Sequence, residues 1–213
     1  MKSSLLKQKL KKTDGVPETL NIRLHRAISW LQCAEDQEGN LDLQFLSLWI
    51  AFNTCYALPI NEQEKATERK KFQGFILKLA ENDHERRIFN ILWEKFSGPV
   101  KLLIDNPYVF RPFWDYHRGE VSDWEVAFEK SSNAAIKYLS DNNVAGLLEI
   151  LLDRLYVLRN QLMHGGATYK SRVNRKQLKD GTRILQFLVP IIVDIMMQFP
   201  EEDWGEILYP VVG

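Results

Sequence analysis

An arginine and a histidine five positions apart, Arg159 and His164, close the stretch RLYVLRNQLMHGG and are the residues of this chain best suited to chemistry. An imidazole is the side chain that exchanges protons near neutral pH, and a guanidinium presents fixed charge and a planar set of donors that match phosphoryl oxygens. Together they are the least equipment that RNA cleavage without a metal requires. The ribose 2′-hydroxyl is already next to the phosphate it attacks, so the protein has only to move protons and stabilise the charged pentacoordinate transition state. DNA, lacking that hydroxyl, should resist.

The pair needs a helix end to hold it. From Val144 to His164 the leucines Leu148, Leu151, Leu152, Leu155, Leu158 and Leu162 recur at helical spacing and predict a core-facing stripe, with Gly165-Gly166 as the stop. Beside it Glu149, Asp153, Tyr156, Asn160 and His164 follow at three- and four-residue steps as a polar stripe. Positions 159 and 164 lie about 140° apart around the axis, a gap that a long arginine side chain spans, so both heads can meet one phosphate. His164 falls where carbonyls lack helical partners and the macrodipole is negative.

Spacing alone is weak. In a chain with 12 arginines and 4 histidines, an arginine five to seven positions before a histidine arises by chance on the order of once. Arg111 and His117 form a second match, ranked lower because Pro112 interrupts it in a proline-broken aromatic segment.

The rest of the chain predicts an all-α protein. Leu20, Leu24, Ala27, Ile28, Leu31 and Ala34 mark an amphipathic helix over 18–35, and LDLQFLSLWIAFNTCYAL a buried central helix ended by Pro59. Two shorter helices fit 61–96, and an aromatic-rich irregular excursion packed on the helices fits 97–119. Ser122 or Asp123 is placed to cap a helix carrying Trp124, Phe128, Ala135 and Tyr138. A final helix over 174–199 contains Gly181 and Pro190 and is expected to kink or break, with the tail EEDWGEILYPVVG as irregular packed chain. Residues 1–17 read as a flexible basic arm and 18–213 as one domain. No stretch alternates with the two-residue period of a strand.

Composition narrows the function classes. Cations and anions balance at 28 each, so any nucleic-acid site must be a local patch. Cys33 and Cys55 lie in apolar helical patterns and read as small core residues. No zinc ligand set, glycine-rich phosphate loop or paired-carboxylate motif is present, so no metal and no cofactor is expected. The most apolar run, 184–197, is broken by Gln186, Pro190 and Asp194 and falls short of a bilayer span. With no secretory signal pattern at the start, the expected compartment is the cytoplasm.

RLYVLRNQLMHGG resembles the Arg-x4-6-His motif of HEPN domains, in which a polar residue, here Asn160, follows the arginine. LHRAISWLQCAE, LQFLSLWIAFNTCY and NRKQLKDGTRILQFLVP resemble the first two helices and the last helix of Apea-like HEPN proteins, so the likeness covers most of the chain. The resemblance implies an antiparallel helical bundle with residues 61–119 as a helical and irregular insertion. It also implies a homodimer that brings two motifs together, and a metal-independent endoribonuclease of stress or phage defence. Arg159 and His164 would then sit at the dimer cleft with Asn160 orienting, and an antitoxin or other regulatory protein is an expected partner.

Blander readings exist for each residue. His164 can be a helix-ending cap for carbonyls, and Arg159 a surface ion pair with Glu149, Asp153 or an acid of another helix. Asn53, inside the apolar LWIAFNTCY, must find amide partners; it either braces the motif helix or makes an ordinary buried hydrogen bond. Tyr169, Lys170, Arg172 and Arg175 mix one ring with three cations, a combination that suits single-stranded RNA and equally a solvated loop. Leu162 and Met163 can serve a symmetric interface or the core. The alternative to an enzyme is a non-catalytic HEPN protein that binds RNA or a protein partner through the same cleft.

Overall fold

Helices account for all the regular structure among the described residues, 1–56 and 65–211 of the computed structural model. In chain order they are α1 (Ser3–Lys12), α2 (Glu18–Asp36), α3 (Leu41–Tyr56), α4 (Lys65–Asn82), α5 (Arg87–Lys95), α6 (Lys101–Ile104), α7 (Arg111–His117), α8 (Glu125–Ser140), α9 (Val144–Met163) and α10 (Arg175–Gln198). A wide turn, Phe96–Val100, and a short 3-10 turn, Pro107–Val109, flank α6. Pro59 and residues 61–64, at the expected end of the second predicted helix and the start of the insertion, lie outside the described residues.

The chain divides into two compact units where the sequence suggests one domain. One comprises Met1–Arg87 and Leu185–Gly213, the other Ile88–Ile184.

In the first unit, α2 and α3 pack as a hairpin around the turn at Gly39, whose φ of +90° is a conformation glycine adopts without strain. Leu24, Ala27, Ile28, Leu31, Phe45, Leu48 and Phe52 supply the buried face. The expected flexible arm is instead helix α1, packed on α2. Leu6 is fully buried there, and Ser3 is fixed through its amide and hydroxyl to Glu35 and through its hydroxyl to Gln32. Lys9 reaches Asp194 of α10 at 2.5 Å, a carboxylate that Arg87 also holds at 2.5 Å. A run rich in lysine looks solvated until its distant partners are known.

Arg23 is the polar keystone of this unit. Only 1% exposed, it donates to the carbonyls of Thr54 (3.2 Å) and Cys55 (2.9 Å) at the end of α3. It also donates to Gly205 (3.1 Å) and Glu206 (2.7 Å) of the tail. The tail is irregular, as expected, and buries Trp204 against Phe75 of α4. The second predicted helix needs one correction: Asn53 is exposed, because it shares an outward face of α3 with Leu43 and Ile50, which are also exposed. It meets neither expectation set for a buried amide.

The second unit is built around α9, which packs on α8, on α6 and on the 3-10 turn. Asn143 caps α9 by accepting from the Gly146 amide at 2.9 Å. Gly146 permits the close approach of α8: a Cβ there would lie 2.7 Å from the Tyr138 ring. Leu148, Leu151, Leu152, Leu155 and Leu158 are buried as the stripe predicts and Leu147 is buried beside them, whereas Leu162 is half-buried and Met163 exposed. α8 begins at Glu125 after Trp124, without a side-chain cap from Ser122 or Asp123. α10 is one continuous helix through Gly181 and Pro190, not a broken one.

Candidate functional site

The end of α9 is capped by backbone alone. His164 N–H donates to the Asn160 carbonyl at 2.9 Å, Gly165 N–H to Leu162 at 3.3 Å, and Gly166 N–H to Gln161 at 2.7 Å. The last two are the paired bonds of a Schellman motif, and Gly165 carries the φ of +68° which that motif demands. The glycines therefore satisfy the carbonyls that a histidine side chain would otherwise cap. His164 is exposed, and its imidazole makes no hydrogen bond among the described residues.

Arg159 is half-buried, and Nη1 donates to Asn160 Oδ1 at 2.9 Å. It forms no ion pair with Glu149, Asp153 or any other acid among the described residues. The motif asparagine thus orients the arginine directly, a contact between sequence neighbours. Both bland readings, the capping histidine and the paired arginine, are absent from the geometry. Tyr156 is exposed one turn before Asn160 on the polar stripe.

The loop after α9 is exposed along most of its length. Lys170, with φ of +57°, places Nζ 5.3 Å from the Tyr169 ring centroid, a cation–π contact. Arg172 is exposed and Arg175 half-buried.

Two features of the site were not foreseen. Gln161, inside the motif, donates from Nε2 to the Tyr108 carbonyl at 2.6 Å and fastens the aromatic excursion to the last turns of α9. Arg154, one step along the leucine face from Leu151, is 3% exposed. Its guanidinium lies 4.4 Å from the Phe110 ring and bonds Ser131 Oγ at 3.0 Å and the Ile104 carbonyl at 3.4 Å. Burial outweighs the nearby charges of Asp153 and Asp105 and lowers its pKa to about 10. A cation in register with a leucine stripe was the available signal.

The second Arg/His match also changes. Pro112 sits in the first turn of α7, where proline is tolerated, so it does not break the segment. The pair is instead engaged by neighbours: Arg111 lies 3.9 Å from Asp115, and the His117 ring packs 4.4 Å from that of Phe113.

No group of three or more potential metal-ligating side chains is found among the described residues, and no helix among them is long and apolar enough to cross a membrane. The fold and site define an all-α helical protein with an Arg-Asn-x3-His helix end whose histidine is exposed. Neither a protein-family model, nor a curated protein, nor a solved structure matches the chain.

Proposed function

We propose that the protein is a metal-independent endoribonuclease of HEPN type acting at the Schellman-capped end of α9. The observation that carries this reading is that, among the described residues, His164 and Arg159 serve none of the structural needs expected of them: the imidazole caps nothing, and the guanidinium neutralises no carboxylate. In the reaction, His164 takes the proton of the ribose 2′-hydroxyl as the 2′ oxygen bonds to phosphorus. The bond from phosphorus to the 5′ oxygen breaks, and that oxygen leaves with a proton delivered by an imidazolium. Arg159, aimed by Asn160, holds the non-bridging oxygens as their charge rises. The products are a 2′,3′-cyclic phosphate and a free 5′-hydroxyl. Pairing of two protomers through the exposed Met163 and Tyr156 would supply the second proton-transfer group.

The test is incubation of wild-type and His164→Ala protein with total RNA in EDTA, reading fragment lengths and end chemistry. Cleavage by wild type alone, leaving cyclic phosphates, is the expected outcome; intact RNA with both proteins rejects the ribonuclease. A second reading, a non-catalytic protein that docks RNA or a protein partner at this helix end, is favoured by Arg159 bonding its neighbour Asn160 instead of joining His164. Unimpaired cellular function of an Arg159→Ala, His164→Ala double variant would select it.

A further inference from the structure

Six residues beyond His164 the charge balance of the chain gives way. Between positions 170 and 183 stand Lys170, Arg172, Arg175, Lys176, Lys179 and Arg183 against one acid, Asp180, in a chain whose overall charge is zero. Lys176, Lys179 and Arg183 are exposed and follow at steps of three and four along α10, so they share one face of the helix. Arg172 precedes them by four more positions.

None of Lys170, Arg172, Lys176, Lys179 and Arg183 forms an ion pair among the described residues. Elsewhere in the same unit Lys101, Arg111 and Arg118 each face a carboxylate. Asp180 does not offset the stripe at the surface, because it is buried, and burial pushes its carboxyl above the ordinary range despite Lys176, Arg183 and Lys179 nearby. The residue before α10, Asn174, accepts Leu178 N–H on its carbonyl at 2.9 Å. Its side chain, in contrast to that of Asn143, makes no hydrogen bond. Asn174 therefore leaves the positive end of the α10 dipole without an asparagine cap.

We propose that Lys176, Lys179 and Arg183, led in by Lys170 and Arg172, form a track for the sugar–phosphate backbone of RNA. From Lys176 to Arg183 the helix rises about 10 Å, the span of about four phosphates of a stacked strand spaced about 3.4 Å apart. Three cations without an ion pair among the described residues line that span, with no exposed acid between them. The track grips without reading sequence, since its contacts go to phosphates and not to base edges. It rests on RNA being the ligand of the α9 site but not on His164 being catalytic.

The test is equilibrium binding of a fluorescent single-stranded RNA across a salt series. Every protein carries His164→Ala, so that the probe survives whether or not the enzyme reading holds. Adding K176E, K179E and R183E should weaken binding at least tenfold. It should also lower the slope of log affinity against log salt by about 2, from about 0.7 per lost contact. Over a fourfold change in salt, that slope difference alone amounts to about a twentyfold change in relative affinity. The set K176Q, K179Q and R183Q, with helical content and melting temperature checked, guards against misfolding and should shift in the same direction.

Unchanged RNA affinity and slope in a folded triple variant overturn the track. So does stripe-dependent binding to vesicles of anionic lipid without binding to RNA. A wild-type protein that binds RNA through the stripe yet never cleaves sinks the ribonuclease and leaves the track standing. Normal cleavage by a triple variant that retains His164, with unchanged affinity in its His164→Ala form, does the reverse.

Discussion

Arg154 offers a quantitative test of how the motif helix is held. Replacing it with methionine keeps much of the buried stem but removes the guanidinium. The losses are a charge-assisted hydrogen bond to Ser131 at 3.0 Å, about 2 kcal/mol, and a desolvated cation–π contact with Phe110 at 4.4 Å, also about 2 kcal/mol. The Ile104 bond, at 3.4 Å, adds little. Against this stands the cost of burying the charge: a pKa lowered from 12.5 to about 10 corresponds to roughly 3 kcal/mol that methionine does not incur. Arg154→Met should therefore destabilise by only about 1 kcal/mol. Arg154→Ala also strips three buried methylenes at about 0.8 kcal/mol each and leaves a cavity beneath α9, for a total of about 4 kcal/mol. Urea unfolding of the three proteins followed by circular dichroism reads the difference directly. Equal losses for methionine and alanine would refute the reasoning, because they would mean that the polar contacts, not the packing of the stem, hold α9 in place.

Three further outcomes are expected. Asp194, 2% exposed, is pushed up by burial but pulled further down by the hydrogen bonds from Lys9 and Arg87, so its folded pKa lies below the ordinary carboxylate value. Its stabilisation is complete above the unfolded pKa of about 4 and is lost as pH falls through the folded value, so melting temperatures between pH 6 and pH 3 should fall in wild type more than in Asp194→Asn. Burial pushes the Cys55 thiol up to about 12, whereas Cys33 is half-buried beside Ser47 at 3.4 Å. A disulfide reagent at pH 8 should modify Cys33 in the native protein and Cys55 only after unfolding; two equally fast thiols would contradict this burial. Gly165→Ala should cost about 1 kcal/mol through its positive φ alone, read as a lower denaturation midpoint, and Gly165→Asn should cost less.

The extent of α9 was legible because its signals are local: a leucine stripe at helical period and a double-glycine stop. The placement of His164 at its end followed from the same signals. What was not legible depends on partners far away in the chain. The first residues look like a solvated basic arm because the groups that fix them, Glu35 for Ser3 and Asp194 for Lys9, lie 32 and 185 positions away. Asn53 was judged by its apolar neighbours in sequence, but on a helix the relevant neighbours are three and four positions away, and its face of α3 turns outward. Pro112 reads as a breaker because nothing local shows that a helix starts one residue before it. The division at Ile184 falls inside a continuous helix, so no change in composition announces it.

Arg23, Arg154 and Arg159 differ in how their donors are used. Arg23 gives its donors to four backbone carbonyls, two of α3 and two of the tail. Arg154 is enclosed by a ring, a hydroxyl and a carbonyl. For both, the protein itself supplies the partners, and burial lowers the pKa of each. Among the described residues Arg159 makes one hydrogen bond, to Asn160 Oδ1, out of the five that a guanidinium can donate. That bond fixes the plane of the group while leaving most of the fork unused. A planar cation with its orientation set and its donors free is poorly matched to holding a fold together. Such a cation suits the phosphate ligand proposed for this end of α9, whose carbonyls the two glycines have already capped.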